Sequence, residues 1–250
     1  MYLTLASLLA ASPAISAERG YQIHQYSSLV GPHTLWITPT SIKLVDINNK
    51  LSVIARAPDW KVFYCNDKNK TYCETTSRGL EQSGGARLYF VYRLDLQSPN
   101  WKEAAGKPRD GMDTVERTLH VFHNSMEGTD ASKHWVKGIT NAESIEAKNF
   151  PITPQVDEIF SKMLVVPPLK RLPIDFRFLS YSGGEKMALK TEKIQSHTFS
   201  AQDFTVPPGY KKIKEQRLIA GSSSAGVFLE NMGGFFSDDK DETAKPPGHK

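Results

Sequence analysis

"SIKLVDINNKLSVIA", residues Ser41 to Ala55, decides how the rest of this chain is read. Asn48 and Asn49 lie at its centre, and asparagine tolerates the positive φ of a tight two-residue hairpin turn. Counting outward from that turn sets Leu44 opposite Val53 and Ile42 opposite Ala55, so one face of the hairpin is apolar. The same logic extends in both directions. "IDFRFLSYSGGEKMALKTEKI" turns at Gly183-Gly184, with Phe178 expected opposite Leu189 and Ser180 opposite Met187, and Arg177 and Lys190 on the wetter face. "ARLYFVYRLDL" reads as a strand with Leu88, Phe90, Tyr92 and Leu94 on one side and Tyr89, Val91 and Arg93 on the other. Hairpin after hairpin predicts an antiparallel sheet, and no tandem repeat of fixed period interrupts it.

Helices are fewer. In "ITPQVDEIFSKMLVV" Thr153 is the expected N-cap and Pro154 the first helical residue, while Val156, Ile159, Phe160 and Met163 recur at helical spacing. This predicts an amphipathic helix lying on the sheet as a lid. "ETTSRGLEQS" is a second, weaker helix. "NWKEAAGKPRDGMDTVE" reads as a connection broken by Gly and Pro, "HNSMEGTDASKHW" as a loop, and "HWVKGI" as a short strand.

Chain organisation points outside the cytosol. Residues 1–17 combine an apolar run from Tyr2 to Ala11 with a small-residue cluster from Ser12 to Ala17, the body of a secretory signal that lacks a basic start. Cleavage is expected after Ala17, or after Ala14. No later apolar run reaches the roughly 20 residues needed to span a bilayer. A folded domain is expected over residues 18–219, followed by a flexible, largely disordered tail over 220–250 whose end, "SDDKDETAKPPGHK", is charged, Pro-containing and almost free of apolar residues. In a periplasmic or secreted protein two nearby cysteines ordinarily pair. Cys65 and Cys73 flank the turn-like "NDKNK" at an even separation, so the reading expects them on one hairpin face, joined in a disulfide that pins the register. The alternative, a redox pair, wants CxxC-type spacing, which is absent.

Other chemistry is sparse. His120 and His123 in "RTLHVFH" point to opposite sides of a strand, and no third ligand follows at zinc-like spacing, so neither a metal nor a cofactor is expected. "GSSSAG" lacks the form of a nucleophile elbow and reads as linker. Asp110 and Asp113 read as turn residues, and Asn69 heads a glycosylation-type "NKT" at a hairpin tip. No nucleophile, base and orienting group come together, so an enzyme, such as a hydrolase, is the least favoured function. The net charge of +4, with the segment from Ser237 contributing −1 and the rest near +5, is too mild and dispersed for nucleic acid. Lys211, Lys212, Lys214 and Arg217 cluster near the end of the domain, either as a basic patch for an anionic head group or acidic partner, or as solvated edge residues that discourage sheet-to-sheet pairing.

The order "LWITPTSIKLVDINNKLSVIARAPDWKVFYCNDKNKTYCE", then "LPIDFRF", "ALKTEKI" and "DFTVPPGYKKIK", resembles the periplasmic lipoprotein-carrier and outer-membrane lipoprotein-sorting (LolA-like) superfamily and secreted proteins of its fold. The resemblance covers roughly Tyr21 to Arg217 and implies an α+β fold: a curved antiparallel sheet, or open half-barrel, with helices as plug or lid on its concave face. It also implies shelter for an acyl chain in that concavity. Leu35, Ile37, Leu88, Phe90, Tyr92, Phe176, Phe178, Met187 and Leu189 are then the lining candidates, with Ile159, Phe160 and Met163 as lid. Large apolar residues on one strand face equally suit a filled core. The expected function is non-catalytic binding of a lipid or lipoprotein acyl chain. The alternative is an envelope protein-interaction or sensing module that holds no small ligand.

Overall fold

The computed structural model describes residues 17–27, 30–82, 101–120, 139–150, 152–164, 166–167, 169, 171–180 and 185–214. The expected signal segment, the strand carrying Leu88, Phe90 and Tyr92, His123, Arg217 and the C-terminal tail lie outside them. The described strands are β1 (Glu18–Ser27), β2 (Gly31–Ile37), β3 (Ser41–Asp46), β4 (Leu51–Arg56), β5 (Val62–Asn66), β6 (Thr71–Thr75), β7 (Lys102–Ala105), β8 (Thr114–His120), β9 (Ile139–Ala147), β10 (Pro173–Ser180), β11 (Glu185–Phe199) and β12 (Lys211–Lys212). They form one curved sheet in the order β12-β6-β5-β4-β3-β2-β1-β11-β10-β9-β8-β7. Its two end strands do not pair with each other, so the sheet is an open half-barrel, as expected. Every pairing is antiparallel except β12 on β6. Two helices are described, α1 (Ser77–Gln82) and α2 (Pro154–Leu164).

The β3-β4 hairpin holds the predicted register: Leu44 faces Val53 and Ile42 faces Ala55. Its turn differs. Four residues, Ile47 to Lys50, make the loop, and the positive φ falls on Lys50, not on the asparagines. Asp46 makes this possible by accepting the backbone N–H groups of Asn48 and Asn49, each at 3.0 Å, and the Asn49 side-chain amide at 2.7 Å. The β5-β6 hairpin repeats the device, with Asn66 accepting the Asn69 N–H at 3.0 Å and Lys70 at positive φ.

That second hairpin corrects the disulfide. Cys65 is registered with Tyr72, and Cys73 with Tyr64. Directly opposed residues share a face and consecutive ones do not, so the two cysteines point to opposite sides of the sheet, and both are free and buried. Even spacing places residues on one face only along a single strand; across a hairpin the register decides.

The β10-β11 register is also corrected. Phe176, not Phe178, faces Leu189, and Arg177 faces Met187, with an irregularity between Phe176 and Arg177 that shifts the ladder by one residue. The stretch read as a connection after Trp101 contains β7, whose four side chains are all exposed and therefore show no apolar alternation. The segment "DFTVPPGYKKIK" contains only a two-residue strand, β12, after a 3-10 turn at Ala201–Phe204.

The sheet buries residues on both sides. On one face, called here the helix face, Ile23, Leu35, Ile37, Ile42, Leu44, Phe176, Phe178 and Leu189 merge with Val156, Ile159, Phe160 and Leu164 of α2 into one core. On the far face Ile54, Cys65, Phe199 and Phe204 form a smaller cluster with Trp36, Phe63, Tyr72, Val206 and Tyr210 around it. The chain after β11 covers that far cluster. Lys43 and Arg56 hold its backbone by donating to the carbonyls of Asp203 and Ala201 at 3.2 and 3.0 Å, and the Tyr210 hydroxyl donates to Asp67 at 2.6 Å.

Candidate functional site

Helix α2 is positioned as its sequence dictates. The Val156 N–H donates to Thr153 Oγ1 at 3.4 Å, Pro154 occupies the first helical position, and the helix buries Val156, Ile159, Phe160 and Leu164 against the sheet. The structure thereby brings most of the expected lining and lid residues into one cluster. Leu35, Ile37, Phe176 and Leu189 have no accessible surface, Phe178, Ile159 and Phe160 keep at most 3%, and Met163 packs on the rim. Met187 is half-buried beside Arg177. Leu88, Phe90 and Tyr92 lie outside the described residues.

Sequence periodicity missed a set of polar side chains inside this cluster. Cross-strand register puts Asp46, His33, Gln25 and Thr191 in one row over β3, β2, β1 and β11, on the helix face. Thr191 Oγ1 donates its one proton to the Ile174 carbonyl, so it accepts from Gln25 Nε2 at 2.9 Å. The orientation of the Gln25 amide follows, and its Oε1 is left without a partner. His33 Nδ1 lies 2.9 Å from the Gly31 carbonyl, an acceptor, so this nitrogen carries the proton and Nε2 is a bare acceptor, also without a partner. Burial pushes the His33 imidazole below its ordinary value, against smaller opposing effects of the Gly31 carbonyl and Asp46, which keeps the ring neutral.

A second set lies across β8 and β9. Arg117 is registered with Ser144, Ser144 with Phe176, and Val115 with Glu146, so Arg117, Ser144 and Glu146 share the helix face. Arg117 Nη1 donates to Glu146 Oε1 at 3.3 Å and to the Leu169 carbonyl at 3.5 Å, and its guanidinium lies 5.1 Å from the Trp101 ring centroid. Glu146 has no accessible surface. Burial pushes its carboxyl up to about 7 in spite of Arg117, Arg171 and Ser144. Arg117 Nε, Glu146 Oε2 and Ser144 Oγ make no hydrogen bond of good geometry, and neither does Ser161 Oγ on the buried face of α2. A polar atom buried without a partner costs about 1–3 kcal/mol. The helix face of the sheet is therefore an apolar core set with donors and acceptors that lack partners of good geometry.

Of the basic cluster, Lys211, Lys212 and Lys214 are described and all three are exposed. Lys212 Nζ lies 2.7 Å from Glu74, which Lys61 also meets at 2.9 Å. Asp110 and Asp113 sit at a turn, where Asp110 additionally accepts the Ile194 N–H at 3.0 Å and so ties the turn to β11. Among the described residues no group of three or more His, Cys, Asp or Glu side chains could hold a metal ion, and no helix is long and apolar enough to cross a membrane.

No protein-family model matches the chain, and no curated protein matches its sequence. Solved structures with a similar course include an uncharacterized conserved protein from Thermus thermophilus, at 6% identity and a TM-score of 0.42 over 78% of this chain and 90% of that one. MucB matches at 8% identity and a TM-score of 0.42 over 77% of this chain and 59% of its own. A domain described as a putative outer membrane lipoprotein-sorting protein, from Vibrio parahaemolyticus, matches at 8% identity and a TM-score of 0.26, over 77% and 91%. These likenesses concern the course of the sheet and not an activity.

Proposed function

We propose that this chain is an exported, non-catalytic binding protein that takes an amphipathic, lipid-like molecule between the helix face of its sheet and α2, with α2 as the lid. The observation that carries the reading is the partnerless polar atoms of His33, Gln25, Arg117, Ser144 and Glu146 set among apolar side chains on that face. A sheet selected only for a filled core has no use for them, since each weakens the closed form. A ligand with an apolar body and a polar head satisfies both kinds of surface at once. The same cost lowers the energy needed to lift α2 away and wet the face, which is what a lid requires.

The test is titration with an environment-sensitive apolar dye, N-phenyl-1-naphthylamine, followed by displacement with lysophospholipid. The reading expects one saturable site per chain that lysophospholipid empties. Fluorescence that rises without saturation, or that lysophospholipid leaves unchanged, contradicts it.

A second reading is favoured by the sheet's end. All four residues of β7 are exposed, and among the described residues β7 is the terminal strand, an edge that a partner's strand could extend. In that reading the protein is an envelope interaction or sensing module. A partner that binds equally well to delipidated protein and is lost on Ala104→Pro supports it.

A further inference from the structure

Three groups without a hydrogen bond of good geometry stand side by side on the helix face: the Nε–H of Arg117, the hydroxyl of Ser144 directly opposite it, and Oε2 of Glu146 two residues along the same strand, near enough to the Ser144 hydroxyl to feel it. Ser144 and Glu146 are almost completely buried, whereas the Arg117 side chain keeps 20% of its surface, so the set spans from the core to its rim. Phe176, Leu119 and Leu169 continue the face as an apolar wall. A group that docks here with its head at the rim lays its body along the core.

From this arrangement we infer that Arg117, Ser144 and Glu146 form a head-group subsite for the carboxylate of a fatty acid, and that binding takes up one proton on Glu146. The inference rests on the binding function proposed above and names the head group of its ligand. Charge decides the sign. With Glu146 ionised, a second carboxylate beside it must share Arg117, Arg171 being taken by Glu103, and meets repulsion in a poorly solvated site. With Glu146 protonated, Arg117 and the ligand form a neutral pair, and all three free groups become donors: the Arg117 Nε–H, the Ser144 O–H and the Glu146 Oε2–H. The two oxygens of a carboxylate accept from such a set as a charged, two-pronged acceptor, whereas a hydroxyl offers one neutral oxygen and an ammonium no acceptor at all. The charged groups facing Glu146 are Arg117 from β8 and Arg171 from the segment before β10, the latter held by Glu103 of β7 at 2.8 Å. The raised carboxyl means that the proton required is available near neutral pH.

The experiment is dye displacement on the full chain by laurate, dodecanol and dodecylamine, three probes with the same tail, between pH 6 and pH 9, where laurate is ionised in water. Laurate is expected to bind at least ~10-fold more tightly than the other two at pH 6, the scale of one or two charge-assisted hydrogen bonds. Its Kd is expected to rise up to ~10-fold per pH unit above about pH 7, as one linked proton requires. Glu146→Gln keeps a donor there and is expected to bind laurate with no pH dependence. Ser144→Ala, a small change, is expected to weaken laurate several-fold and to leave dodecanol unchanged. Equal binding of all three probes, or a laurate Kd with the same pH dependence in the wild type and Glu146→Gln, overturns the subsite and leaves the binding function standing. Failure of every probe to displace the dye overturns the binding function beneath it.

Discussion

Replacing Glu146 with glutamine is expected to alter the pH dependence of stability with a sign that the burial of this carboxyl sets. The carboxyl has no accessible surface, and burial raises it from 4.5 to about 7. An acid with a raised folded value binds its proton more tightly folded than unfolded, so its contribution is complete below about pH 4.5 and is lost as pH climbs toward 7. At 1.36 kcal/mol per pH unit, that loss amounts to about 3 kcal/mol, an order-of-magnitude figure. Glutamine has no proton to lose. Urea unfolding of both proteins at intervals from pH 4 to pH 8.5 isolates the effect, because other titrating groups cancel in the difference. The stability of Glu146→Gln relative to wild type is expected to rise by about 3 kcal/mol across that range, with most of the rise between pH 4.5 and 7. A flat difference, within about 1 kcal/mol, would refute the claim that burial dominates this site. A difference falling with pH would show that Arg117 outweighs burial and holds the carboxylate ionised.

Further outcomes follow from the same contacts. Cys65 and Cys73 lie on opposite faces, and burial raises both thiols, Cys65 to about 11, so the protein is expected to show two thiols that react only after unfolding; a 2 Da mass increase on reduction contradicts this. Phe160→Ala removes a fully buried ring from the lid and is expected to lower the unfolding free energy by about 3–5 kcal/mol, with a loss under about 1 kcal/mol excluding a packed lid. Asp46→Ala deletes three hydrogen bonds of the β3-β4 turn and is expected to cost about 1–3 kcal/mol in urea unfolding, the turn being unimportant if stability is unchanged. Intact mass after export is expected to place the new N-terminus at Glu18, and retention of residues 1–17 contradicts the signal-segment reading.

What the sequence made legible follows physical rules. Counting outward from one turn located the β3-β4 register, because it sets Ile42 and Leu44 against the apolar Ala55 and Val53 on one face. The lid helix was equally plain, since cap, proline and apolar spacing agreed at "ITPQVDEIF". Where alternation fails, so did the reading. Phe176 and Arg177 flank an irregularity that no residue type announces, so counting outward from Gly183-Gly184 set Phe178 rather than Phe176 against Leu189. The fully exposed β7 carries no apolar signal at all. Spacing parity misplaced the cysteines, because faces across a hairpin depend on loop length as well as on separation.

The polar set was hidden for a deeper reason. In "NAESIEA" the buried Ala142, Ser144 and Glu146 alternate with half-buried Glu143 and Ile145, so hydrophobicity points to the wrong face. Only register against Phe176 and Val115 shows where they lie. A short run of small and acidic residues at period two, with an arginine at "ERT" on the strand to be paired with it, was the available hint.

The central claim is that the space between helix and sheet is made for an amphipathic guest. Native mass spectrometry of the exported full chain, followed by organic extraction and lipid analysis, tests it most directly. One lipid-like molecule per chain is expected, or uptake of one on incubation with fatty acid or lysophospholipid. A bare protein mass that stays bare after that incubation would contradict the claim and make the helix face a filled core.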